Sequence, residues 1–219
     1  MVPTGAPQPK LPPAPAANIL REIGTRDDDV LAVASHTVLW RIHATAGEHV
    51  VPWNELRHFG PLPGSRFDPH EPPPHEQRAG VVYLAVDIAT CVAEVYQATR
   101  TVNRQDRSPY LTGLRLTRTV RLLDLHGTWP TRAGASQALN STGRRDVTCG
   151  WARSIHQAFP VLDGLWHPSS MNAGLPCVTL FETAQDALPD EAEVSLPLSH
   201  PSLADALAKV ADNLGYTLL

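Results

Sequence analysis

The sequence predicts a single α+β domain over residues 19–219, preceded by a Pro/Ala-rich flexible tail at residues 1–18. Three observations carry this reading. Stretches rich in β-branched residues and stretches of helical periodicity interleave without the regular strand–helix rhythm of a doubly wound parallel sheet. No internal repeat appears, which leaves α+β as the best class. The opening MVPTGAPQPKLPPAPAAN is dominated by proline and alanine, and proline removes backbone donors while favouring extended geometry.

Order is expected from about Ile19. NILREIG reads as a short helix capped by Asn18, and TVLWRIHA (37–44) is the first convincing strand. From Gly60 to Gly80 the prolines and glycines of GPLPGSRFDPHEPPPHEQRAG oppose regular structure, and a loop of that length inside a compact domain is usually functional or disordered. GVVYLAVDIATCVAEVYQ then runs from a strand ending near Leu84 into an amphipathic helix that starts at Asp87. In YLTGLRLTRTVRLLDL, Leu114, Leu116, Val120 and Leu122 share one face while Arg115 and Arg121 project the other way. TRAGASQALN and RDVTCGWARSIHQAF are expected as helices, GLPCVTLFE as a late strand, and HPSLADALAKVADNLG as a terminal helix stopped by Gly215.

A chain of 219 residues is long enough for one sizeable core, and a formal net charge of −4 offers no basic surface for nucleic acid or anionic lipid. A small molecule or another protein is therefore the expected partner. Cys91, Cys149 and Cys177 are odd in number, far apart and without a C-x-x-C, which argues against a disulfide framework or zinc knuckle and fits a reducing compartment. No signal-peptide pattern opens the chain and no apolar run has membrane-span length. A cytoplasmic protein with no membrane association is expected.

HEPPPHE (70–76) offers histidines and acids, yet three consecutive prolines forbid the helix that metalloprotease histidines need, so no metal is expected there. The glycines of GPLPGS match neither a phosphate loop nor a dinucleotide fingerprint, and no serine lies in G-x-S-x-G. Four other residues invite two readings each. Glu94 has Thr90, Cys91, Gln97 and Ala98 as helical neighbours, so no cation is spaced to pair with it. It falls roughly 110° from the centre of the Ile88–Cys91–Val92–Val95 stripe. It is either a solvated boundary acid or an acid facing a cleft, with Ala93 and Ala98 leaving room for a ligand. Arg41, inside an apolar strand, is either on the exposed face or a fork of donors for a carboxylate or phosphate. Arg66 reads as a surface charge and Tyr83 as core unless they join such a site.

In their order along the chain these residues resemble the RES domain family, named for an Arg, a Glu and a Ser, whose members include toxins of bacterial toxin–antitoxin pairs. The resemblance covers about Leu39 to Glu182. LWRI is similar to the opening strand with its arginine, Arg41, and GSRF to the G-x-R-W element with Arg66, Phe67 standing in the tryptophan position. VVYLAVDIATCVAEV is similar to the tyrosine strand and glutamate helix, with Tyr83 and Glu94; VRLLDLHG is similar to the next strand. DGLWHPSSMNAGLPCVTLFE is similar to the serine segment, with Ser169 as the counterpart and Ser170 as the other candidate.

The resemblance implies an ADP-ribosyltransferase-like fold and consumption of NAD+ by phosphorolysis or hydrolysis, or transfer of ADP-ribose to a protein. It implies Glu94, Arg41 and Ser169 as catalytic residues and Arg66 and Tyr83 as substrate-binding residues. NAD+ is then a substrate, inorganic phosphate a possible co-substrate, and no cofactor or metal is required. It further implies a cognate helix-turn-helix (Xre-like) antitoxin as protein partner. An exported antibacterial effector and a catalytically dead binding module are the alternatives.

Overall fold

Period-two alternation of apolar residues builds the centre of the molecule. The computed structural model describes residues 11–219. In chain order the elements are α1 (Ala17–Ile23), β1 (Val30–Val33), β2 (Val38–Ala44), β3 (Arg57–Gly60), β4 (His75–Ala85), α2 (Ile88–Val95), β5 (Thr101–Val102), β6 (Pro109–Arg115), β7 (Val120–Asp124), α3 (Trp129–Arg132), α4 (Ala138–Ser141), α5 (Arg145–Ala158), β8 (Gly164–Pro168), β9 (Pro176–Phe181), β10 (Val194–Pro197), α6 (Ala204–Leu214) and β11 (Thr217–Leu218). Nine strands form one mixed sheet in the order β1-β7-β8-β9-β4-β2-β6-β10, with β3 paired to β4, and β5 pairs β11 in a small second sheet. In the large sheet only β7 and β8 run parallel. This is the mixed α+β domain that the sequence predicts.

Alternation sends neighbouring residues of one strand into different cores. Leu123 and Leu125 join Trp129, Trp151, Leu165 and Phe181 under α1 and α5, whereas Val120 and Leu122 join Leu114, Leu116, Val178 and Leu180 on the other side. A third cluster, around Val92, Leu111, Leu198 and Leu207, packs α2 and α6 against the far half of the sheet. Arg115 indeed faces outward and pairs with Glu193 at 3.0 Å.

Several expectations are corrected. Within the Pro-rich segment, Leu11, Ala14 and Ala17 pack on the first cluster, and the Trp151 indole donates to the Pro12 carbonyl at 3.0 Å. The described part of the expected tail is therefore docked; residues 1–10 lie outside the described residues. The cap of α1 is Ala16, whose carbonyl accepts from Ile19 and Leu20, and Asn18 lies inside the helix. The helix expected over TRAGASQALN divides into α3 and α4 because Gly134 between them takes φ +89°. The long loop is shorter than expected: Gly60 pairs His75 and Phe59 pairs Glu76, so strand structure reaches into both ends.

The feature that positions the site is a split in the sheet. β2 pairs β6 along its whole length, Val38↔Arg115 to Ala44↔Pro109. β4 pairs β9 from Val81↔Phe181 to Ala85↔Cys177. Between β2 and β4 the one registered pair is Trp40↔Ala85. Beyond Trp40 the two halves of the sheet part, and Arg41 is the first residue in the gap.

Candidate active site

A cavity of about 320 Å³ fills that gap. Its walls include Arg41 and Ile42 of β2, Val81 to Ala85 of β4, Arg66 of the proline-rich loop, Glu94 and Gln97 at the end of α2, and Arg145 at the start of α5. The side chain of Asp87 accepts from Thr90 N at 2.8 Å and Thr90 Oγ1 at 2.7 Å, which starts α2 directly after β4. Two turns later the helix delivers Glu94 to the cavity. Thr90, Cys91, Val92 and Ala93 are buried, but Val95, expected in the apolar stripe, is 47% exposed. The buried stripe is rotated toward Ala93 because α2 packs between β2 and α6, leaving Val95 at the rim.

Glu94 is held by the serine segment. Its Oε1 accepts from Ser169 Oγ at 2.6 Å and from Ser170 N at 2.9 Å, with Ser170 Oγ at 3.5 Å. Ser169 Oγ in turn accepts from the amides of Met171 at 3.0 Å and Asn172 at 2.9 Å, so the same hydroxyl shapes the turn and donates to the acid. Asn172 Nδ2 donates to Thr90 Oγ1 at 2.9 Å and ties the turn to α2. Of the two serines, Ser169 carries the short bond from its hydroxyl; Ser170 contributes chiefly its backbone N–H.

Arginines surround this carboxylate without touching it. Arg66 donates from Nη2 to Ser170 Oγ at 2.7 Å and from Nη1 to the Thr142 carbonyl at 2.9 Å. Burial, and then the charge of Arg145, lower its pKa, while Glu94 acts in the opposite direction. Arg41 uses Nη1 to hold the carbonyls of Pro52, Trp53 and Glu55 at 2.9, 2.7 and 3.3 Å. Burial lowers its pKa to about 10, Cys91 opposing and Arg57 adding repulsion, so it stays cationic at neutral pH. Arg41 thus clamps the 52–55 loop as well as lining the cavity.

Tyr83 lines the cavity, and its hydroxyl donates to Asp68 Oδ1 at 2.6 Å. Asp68 is fully buried and also accepts from Arg57 Nη2 at 2.6 Å and Leu62 N at 2.8 Å. Burial, reinforced by Asp68, raises the phenol far above its ordinary pKa, so the Tyr83 hydroxyl stays protonated at neutral pH. His167, also on the wall, accepts or donates at Thr179 Oγ1 over 3.0 Å, and burial pushes its pKa down to about 3. It is neutral at physiological pH.

The structure therefore brings Arg41, Arg66, Tyr83, Glu94, Ser169 and Ser170 to one place. Sequence reasoning missed Arg57, Asp68, Gln97 and Arg145. Gln97 was visible as an i+3 neighbour of Glu94; the other three carry no local signal. The histidines of HEPPPHE do not converge: His70 is buried with Nε2 3.1 Å from the Ala79 carbonyl, and His75 is exposed. Among the described residues no cluster of His, Cys, Asp and Glu could hold a metal, and no helix is long and apolar enough to cross a membrane.

The model of the RES domain matches residues 38–203, most of the chain. The chain belongs to the RES domain family. Its fold is shared by a chain in the crystal structure of the M. tuberculosis MbcT-MbcA toxin-antitoxin complex, with a TM-score of 0.57 and 16% identity over 87% of this chain and 97% of that one. No curated protein matches. The RES match spans every residue of the cavity wall named above and both serines.

Proposed function

We propose that this RES domain cleaves the nicotinamide–ribose bond of NAD+ and acts as the toxin of a toxin–antitoxin pair in the cytoplasm, restrained by a cognate Xre-like antitoxin. The observation that carries the reading is a single carboxylate, Glu94, anchored through one oxygen by Ser169 and Ser170 in a largely apolar cavity whose cationic wall residues are Arg41, Arg57, Arg66 and Arg145. Cationic walls suit a pyrophosphate, and one acid among them suits the cationic ribose that forms as the bond breaks. A second recess of about 750 Å³, sharing Arg41, Ile42, Val51 and Val95 with the first, gives a dinucleotide room to extend.

In this reaction the C1′–N bond breaks, nicotinamide leaves with the bonding pair, and the ribose becomes oxocarbenium-like. Glu94 stabilises that charge. Water or inorganic phosphate then bonds to C1′ and releases a proton, giving ADP-ribose or its phosphate ester. The Tyr83 ring packs against the substrate, and Arg41 and Arg66 grip its anionic part. The antitoxin is supported by the fold shared with a chain of the MbcT-MbcA toxin-antitoxin complex, and by the need of any cell to restrain an enzyme that drains NAD+.

The test is chromatography of NAD+ incubated with the purified protein, with and without phosphate. Nicotinamide release is expected, and Glu94→Gln should lose on the order of a hundredfold in rate. Phosphate dependence marks a phosphorylase, and its absence a hydrolase. Intact NAD+ overturns the reaction, leaving transfer to a protein side chain as the next reading; a folded, fully active Glu94→Gln overturns the role of Glu94. Expression without antitoxin should slow growth and lower cellular NAD+.

A further inference from the structure

The two oxygens of Glu94 are held unequally. Oε1 takes the Ser169 hydroxyl and the Ser170 amide, whereas Oε2 has one protein donor among the described residues, Gln97 Nε2 at 3.3 Å. The same amide nitrogen donates to the Glu94 carbonyl at 2.8 Å, and Gln97 Oε1 accepts from Arg145 Nη2 at 3.4 Å. A guanidinium has donors and no acceptor, so Arg145 dictates which end of the amide faces it. The amide oxygen is drawn to Arg145 and the NH₂ is left for Glu94. With Arg145 gone, the orientation of the amide rests on its bonds to the Glu94 carbonyl and carboxylate alone.

We infer that Arg145 and Gln97 are positioning residues that fix Glu94 Oε2 toward the substrate; this rests on the reading of Glu94 as the carboxylate of NAD+ cleavage. Arg145 is itself anchored, Nη1 donating at 3.3 Å to the Thr142 carbonyl that also accepts from Arg66. The arrangement on the other side is parallel, with Arg66 reaching Glu94 through Ser170. Each guanidinium stands one neutral group away from the acid. A direct Arg–Glu pair would hold the carboxylate equally well, but its fork of donors would occupy both oxygens and oppose the field that the ribose cation must feel. The interposed amide and hydroxyl give orientation while leaving the charge of Glu94 directed into the cavity.

The experiment compares steady-state NAD+ turnover in wild-type protein, Gln97→Met, Gln97→Glu, Arg145→Gln, Arg145→Lys and the Gln97→Met/Arg145→Gln double variant, with thermal midpoints checked for each. Gln97→Met, similar in length and without a donor, should lower kcat about tenfold with KM changed less than about twofold. Gln97→Glu should fall further, because it sets an anion beside Oε2. Arg145→Lys, which still donates, should recover most of what Arg145→Gln loses. The kcat of the double variant should fall no more than about twofold below that of Gln97→Met, since Arg145 acts on Glu94 through Gln97, while the loss of a cationic wall residue is read separately in KM. Wild-type kcat in Gln97→Met, equal rates for Gln97→Met and Gln97→Glu, or multiplicative losses in the double variant each overturn the relay while leaving the reaction standing. A wild-type protein that leaves NAD+ intact overturns the reaction and the relay together.

Discussion

Replacing Ser169 by alanine separates the two adjacent serines. Ser169 Oγ makes three bonds: it donates to Glu94 at 2.6 Å and accepts from the amides of Met171 and Asn172. A hydrogen bond to a charged group is worth about 1.5–3 kcal/mol. If that bond orients Glu94 for catalysis, its loss corresponds to roughly ten- to a hundredfold in kcat, since each ~1.4 kcal/mol is tenfold. The two orphaned amides add a stability cost of about 1–2 kcal/mol, as in loss of a serine cap. Ser170→Ala keeps the backbone N–H that Glu94 accepts and loses the 2.7 Å bond from Arg66 and the 3.5 Å contact to the acid. Its effect on kcat should be smaller than that of Ser169→Ala, because Glu94 keeps its donor from the Ser170 backbone. The assay is initial-rate nicotinamide release for both variants, paired with urea unfolding. Ser169→Ala turning over within twofold of wild type, or Ser170→Ala proving the slower of the two, would refute the reasoning.

Three further outcomes are expected. Asp68→Ala removes the acceptor of Arg57 and Tyr83 and leaves the Arg57 charge, whose side chain is 16% exposed, without its partner; urea unfolding should show a loss of about 3 kcal/mol or more. Gly164 has φ +156°, and a Cβ there would lie 2.0 Å from the Thr179 carbonyl, so Gly164→Ala should abolish the β8–β9 pairing and yield little soluble protein. His167 is neutral in the fold, its pKa pushed by burial from 6.5 to about 3, so the unfolded chain takes up a proton first as pH falls. The stability His167 contributes is complete above about pH 6.5 and falls by about 1.4 kcal/mol per unit below it, until the folded pKa is reached. His167→Gln should flatten unfolding free energy between pH 6 and 4, and an unchanged acid slope would count against this.

The sequence makes plain those elements whose pattern is long and locally consistent. β2, the second half of β4, α2, α5, β9 and α6 lie where alternation or helical periodicity, with Asp87 or Gly215 as punctuation, predicts them. Short strands are harder: β1, β8 and β10 have four or five residues each, and proline and glycine in β8 mask their alternation. They exist because longer neighbours offer edges, which is tertiary information. The break between α3 and α4 depends on the conformation of Gly134, which helical composition on both sides conceals. The site divides similarly. Motif order led to Arg41, Arg66, Tyr83, Glu94 and Ser169. The absence of a cation at helical spacing from Glu94 was readable, but not that Arg66 and Arg145 would stand one group away, because that requires the loop and α5 to meet α2 in space.

The docked segment from Leu11 to Gly24 has a practical side. Both fully buried indoles donate to backbone carbonyls of this segment, Trp151 to Pro12 and Trp129 to Gly24. Trimming the chain to Ile19 would strip the cover from Trp151 and shift its fluorescence to longer wavelength. Attachment of this strap can therefore be followed by intrinsic emission, and its release by a protease nick ahead of α1 should appear as a shift of that emission to longer wavelength.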